Sequence, residues 1–69
     1  KLLAAGVARC AKKLGEESSE LIIAAVGGNA RETAAEAADV LYHLLVLLRS
    51  RDVAFARVLD VLARRGGTG

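Results

Sequence analysis

Five acidic side chains are spaced so that they could act together. Glu17 and Glu20 are three residues apart, Glu16 and Glu20 four apart, and Glu36 and Asp39 repeat the three-residue step. Residues three or four apart on a helix are surface neighbours, and like charges there repel by about 0.2–0.5 kcal/mol per pair. Stability alone does not favour that arrangement. Steps of three and four from Glu17 reach Cys10, Leu14, Leu21 and Ala24, a mainly apolar row; from Glu36 and Asp39 they reach His43 and Val46. Both acidic pairs therefore lie on or beside a stripe that should be buried. A buried carboxylate has to be protonated, paired or bound to a cation. Glu17, Glu20, Glu36 and Asp39, converging from two helices, make an all-oxygen set suited to a hard ion, magnesium or manganese, and to phosphate chemistry. Di-iron carboxylate bundles usually add a Glu-x-x-His pair, and neither pair here contains His.

Lys12 and Lys13 sit one helical turn before the acids. They can hold a polyphosphate or neutralise Glu16 and Glu17, and spacing leaves both roles open. The plainer reading of the acids is a solvated face balanced by these lysines. His43 reads either as a proton donor or ligand, or as a core histidine with one hydrogen bond. Tyr42 is equally open, and Cys10 reads as a small buried hydrophobe.

Helices have to position these groups. The chain has 69 residues, 54% of them hydrophobic, with no proline. Alanine and leucine, both strong helix formers, supply most of the apolar content. A first helix is expected over 2–26, with Gly6 and Gly15 as weak points, ended by Gly27-Gly28-Asn29 through glycine's access to the left-handed helix stop. A second is expected over 30–50, capped by Asn29 with Glu32 three residues later in a capping box. A short third helix over 53–65 follows Asp52, with Phe55, Val58, Leu59 and Leu62 at helical spacing. Residues 1–65 read as one domain and 66–69 as a disordered tail.

The short connection forces the first two helices into an antiparallel hairpin. Val40, Leu41, Leu44, Leu45, Val46, Leu47 and Leu48 cover almost the whole circumference of the second helix. A helix apolar all round is buried on several sides. The expected fold is thus all-α: an antiparallel helical hairpin plus a short C-terminal helix, completed to a four-helix bundle by dimerisation. So short a chain buries only about 60% of its unfolded surface, which also argues for a homodimer or higher homo-oligomer.

Composition excludes other classes. A net charge of +2 and a single Phe and Tyr without Trp give neither the basic footprint nor the stacking platforms of a nucleic-acid binder. The run from Val40 to Leu48 is about half the ~20 residues of a membrane span. A lone cysteine offers no internal disulfide or zinc cluster, and a cytoplasmic setting is expected.

The stretch KKLGEESSELIIAA, Lys12 to Ala25, resembles the signature of the phosphoribosyl-ATP pyrophosphohydrolases, and so does EAADVLYHLLVLL, Glu36 to Leu48. These belong to the all-α, MazG-like nucleotide pyrophosphohydrolases, whose pattern is Glu-x-x-Glu followed by Glu-x-x-Asp. The resemblance implies magnesium-dependent hydrolysis of phosphoribosyl-ATP to phosphoribosyl-AMP and pyrophosphate, the second step of histidine biosynthesis. It implies that Glu17, Glu20, Glu36 and Asp39 bind the metal and that Glu16 or Glu20 handles the attacking water. It makes Lys12 and Lys13 phosphate contacts, and Tyr42 and His43 signature residues of the substrate site or the scaffold. Family domains normally begin earlier, with a further helix and loop before Lys1. Their third helix usually starts on a Ser or Thr near Ala54, for which Asp52 is expected to substitute. Two other readings are a dUTPase- or MazG-type pyrophosphohydrolase and a non-catalytic helical dimerisation module.

Overall fold

The computed structural model describes residues 3–66. A 3-10 turn at Leu3–Ala5 precedes three helices, α1 (Val7–Gly27), α2 (Ala30–Ser50) and α3 (Phe55–Gly66), and no strand occurs among the described residues. The chain is all-α. The first helix starts five residues later than the apolar pattern suggests, because Gly6 adopts φ +96° and separates α1 from the turn. That backbone region favours glycine. Gly15 lies inside α1 without interrupting it. Gly66, expected in the tail, is the last residue of α3; the rest of that tail lies outside the described residues.

The turn between α1 and α2 is closed by several mutually consistent contacts. Asn29 Oδ1 accepts from the Glu32 backbone N–H at 2.8 Å, and Glu32 Oε1 accepts from the Asn29 N–H at 3.3 Å. This is the expected capping box, satisfying donors that the first turn of a helix otherwise leaves bare. The Thr33 hydroxyl donates to the Asn29 carbonyl at 2.9 Å and reaches across to the Ala24 carbonyl at 3.3 Å. The expected left-handed stop is not used. Gly28 is extended at φ −104°, and its N–H donates to the Ala24 carbonyl at 2.8 Å. Glycine matters here for close approach: a Cβ would stand 2.8 Å from the Ala24 carbonyl oxygen and against the Glu32 carboxylate.

The α2–α3 corner works differently. The Val53 N–H donates to the Leu48 carbonyl at 2.9 Å and the Asp52 N–H to the Arg49 carbonyl at 3.1 Å. Those two bonds are a Schellman stop, with Asp52 in the left-handed position at φ 57°. Asp52 therefore terminates α2, and among the described residues its carboxylate caps no helix, contrary to expectation.

Leu14, Glu17, Leu21 and Ala24 of α1 and Thr33, Glu36, Val40, His43, Leu44 and Leu47 of α2 are half-buried along the hairpin, and Cys10 is fully buried. Cys10 is the one fully buried side chain among the described residues. The molecule is close to one helix thick, with extents of 38 × 33 × 14 Å. Its radius of gyration is 13.8 Å, against about 11 Å for a compact chain of this length. On the outside of α2, Leu41 and Leu45 stay exposed, and α3 leaves its corner without packing broadly on either helix. A single chain thus supplies the hairpin and the short third helix; the four-helix bundle is not displayed by one copy.

Candidate metal and phosphate site

The capping box and Thr33 set where α2 starts relative to α1, and so which carboxylates face one another. Glu17 from α1 and Glu36 and Asp39 from α2 each offer a carboxylate oxygen, all within 4.8 Å of one another. Glu17 and Glu36 are half-buried and Asp39 is exposed. Opposite oxygens of an octahedral magnesium ion stand about 4.2 Å apart. The cluster therefore fits a hard divalent ion after a small side-chain adjustment, and its carboxylates are the donors magnesium and manganese prefer.

Electrostatics give the same account. The Glu36 carboxyl is held above its ordinary range, first by desolvation and then by the charges of Asp39, Glu17 and Glu20. Negative charge has been collected where folding disfavours it. Lys13 partly offsets it, with Nζ 3.5 Å from Glu17 and 3.7 Å from Glu16. Lys13 and Glu16 are substantially solvated, so these pairs contribute little to stability.

Glu20 stands apart from the three-carboxylate group. It is exposed and lines, with Glu36 and Glu32, a groove of about 410 Å³ that runs past Ile23 and Ala24 to Gly27 and Gly28. Glu16 lies one turn before Glu20 on the same side of α1, where it shares a recess of about 170 Å³ with Arg9, Lys12 and Lys13. Arg9 is absent from the candidates drawn from sequence. The signal for it is its position four residues before Lys13 and seven before Glu16, on the same side of α1.

His43 is half-buried with its Nδ1 enclosed and unpartnered, and it lies outside the carboxylate group. Its ring meets the exposed Tyr42 edge-on at 5.0 Å between centroids. Cys10 is as buried as its type suggests.

The sequence model of the phosphoribosyl-ATP pyrophosphohydrolases matches residues 1–66. The chain belongs to that family. Among similar curated proteins are phosphoribosyl-ATP pyrophosphatases of Cereibacter sphaeroides, 59% identical, Dinoroseobacter shibae, 60% identical, and Novosphingobium aromaticivorans, 54% identical. The matches cover 99%, 97% and 99% of this chain and 66%, 66% and 64% of those relatives, in the same order. The chain thus spans just under two thirds of their length. No solved structure matches it. Among the described residues no helix is long and apolar enough to cross a membrane.

Proposed function

We propose that this chain carries the catalytic helices of a magnesium-dependent phosphoribosyl-ATP pyrophosphohydrolase, hydrolysing the anhydride between the α and β phosphates to give phosphoribosyl-AMP and pyrophosphate. That is the second step of histidine biosynthesis, in the cytoplasm. The observation that carries the proposal is the convergence of Glu17, Glu36 and Asp39 from two helices to within 4.8 Å, in a chain of this family.

Glu17, Glu36 and Asp39 would hold the ion, with Glu20 beside them, and manganese is a possible substitute. When bound, the ion supplies positive charge against the polyphosphate and makes water more acidic near neutral pH. Glu16 and Glu20, both exposed and one turn apart on the same side of α1, are the carboxylates outside the three-acid group that would take a proton from the attacking water. Lys12 attracts the substrate's phosphates. Lys13, drawn between Glu16 and Glu17, steadies Glu17 and is a phosphate contact once magnesium relieves it of that charge. Tyr42 and His43 belong to the scaffold around the site.

The working unit is a homodimer. The chain exposes 5231 Å², whereas a compact folded monomer of its mass exposes about 4,100 Å². The excess is comparable to the roughly 800 Å² each partner buries in a standard interface. Leu41, Leu45, Leu59 and Leu62 contribute to it, each at least 40% exposed.

The deciding experiment measures pyrophosphate release from phosphoribosyl-ATP, beside dUTP and other nucleoside triphosphates, with magnesium and with EDTA. Magnesium-dependent release from phosphoribosyl-ATP alone is expected. A preference for dUTP or another nucleotide would move the chain to a sister activity, and silence across the panel would leave a helical assembly module.

A further inference from the structure

Arg9, Lys13, Glu16 and Glu20 follow one another along α1 at steps of four, three and four residues, so they form one row on the helix surface. The row changes sign from basic to acidic along its length. The three cations at this end of α1, Arg9 and Lys13 of the row and Lys12 beside it, are not equivalent. Lys13 is engaged by Glu16 and Glu17. Arg9 and Lys12 are exposed and make no ion pair among the described residues. Together they line both the 170 Å³ recess that Glu16 closes and a further recess of about 390 Å³ bounded by Ala5 and Ala8. At the other end of the acids lies the groove of Glu20, Glu32 and Glu36, with Ile23 and Ala24 along it.

We infer that Arg9, assisted by Lys12, seats the pyrophosphate end of the substrate and so sets the direction in which the polyphosphate lies over the hairpin. The terminal phosphates point toward the N-terminus of α1, and the nucleoside lies along the groove that ends at Gly27 and Gly28. This rests on the function proposed above and assigns the two ends of its substrate. A groove edged by carboxylates repels bare phosphate, whereas those oxygens accept hydrogen bonds from ribose hydroxyls and Ile23 offers an apolar contact. The opposite end carries the two cations left uncommitted by the acids. Arg9 presents a planar fork that matches two phosphate oxygens at once, which a lysine does not. Glu17 lies eight residues beyond Arg9, about 12 Å along the helix axis. An extended arginine side chain turned toward the acids and a pyrophosphate group are together long enough to span it.

The test is calorimetric titration of the full chain, in magnesium, with inorganic pyrophosphate and separately with AMP. Arg9→Met is expected to weaken pyrophosphate binding by about tenfold or more while leaving AMP binding within about twofold. Arg9→Lys should recover part of the loss, and thermal unfolding without ligand should stay unchanged because Arg9 is exposed. Under turnover, Arg9→Met should raise KM for phosphoribosyl-ATP more than it lowers kcat. Unaltered pyrophosphate binding in Arg9→Met, or equal losses for pyrophosphate and AMP, would overturn the assignment. A parent chain that binds pyrophosphate in an Arg9-dependent way but hydrolyses no phosphoribosyl-ATP would overturn the proposed reaction and leave the anion seat standing.

Discussion

The seam between α1 and α2 and the outward side of α3 each hold something a lone chain does not tolerate well, and the two are of opposite kinds. The seam gathers Glu17, Glu36 and Asp39 within 4.8 Å and forces the Glu36 carboxyl above its ordinary range. The third helix carries no acid in its apolar row, yet it leaves Phe55, Leu59 and Leu62 between 37% and 55% exposed while Val58 and Val61 are half-buried. Like charges held together are relieved by a cation; apolar surface left in water is relieved by protein. The first region therefore reads as chemistry and the second as assembly, although both sit on amphipathic helices.

The sharpest way to break this contrast is Glu17→Gln. It should lower magnesium-dependent turnover about a hundredfold or more, with helical content and melting temperature close to the parent's. Turnover that survives the change removes Glu17 from the reaction. Next in size, Leu59→Glu on α3 should weaken self-association by about 2 kcal/mol, read by light scattering across a dilution series. Because Leu59 is half exposed in one copy, a loss of monomer helicity instead would place it in the chain's own core.

Asp52→Gly should stabilise the protein by about 0.5–1 kcal/mol in urea unfolding, since φ 57° strains any residue with a Cβ. The change also removes a negative charge from the C-terminal end of α2, where the helix dipole disfavours it. Glu36→Gln should give the smallest effect, a modest rise in melting temperature in EDTA at neutral pH. The fold raises the Glu36 pKa, so the folded state holds that proton more tightly than the unfolded one. Its contribution is present below the unfolded pKa and lost as pH rises through the folded value. The gain in the variant should accordingly shrink on acidification. Magnesium should then stabilise the parent by binding its folded state and do so less for the variant. Equal magnesium responses would place the ion elsewhere.

The start of α2 could be read to the residue because Asn29 and Glu32 form a local signal within one turn of helix. The start of α1 could not, because Gly6 is tolerated inside a helical pattern and only its φ of +96° marks the break. Gly28 was legible as a stop but not as a close approach, which depends on Ala24 and Glu32 arriving at the same point. The two acidic pairs were visible from spacing alone. That Glu20 stands outside the tight group, while Lys13 is taken up by Glu16 and Glu17, was not. Helical spacing gives a direction around one axis, and says nothing of how far two axes stand apart.

By itself the sequence determined the helices, the apolar stripe and the carboxylates placed on it, which follow from propensity and periodicity within single elements, while the family was legible from the signature stretches Lys12 to Ala25 and Glu36 to Leu48. The tertiary structure decided which carboxylates meet, which cation stays uncommitted and which apolar row remains in water. The first and the last depend on the register between α1 and α2 and on the angle at Asp52, fixed by the Thr33 bond across to Ala24 and by the Schellman stop that joins Val53 to Leu48. The second depends on which side-chain positions Lys13, Glu16 and Glu17 take up along α1.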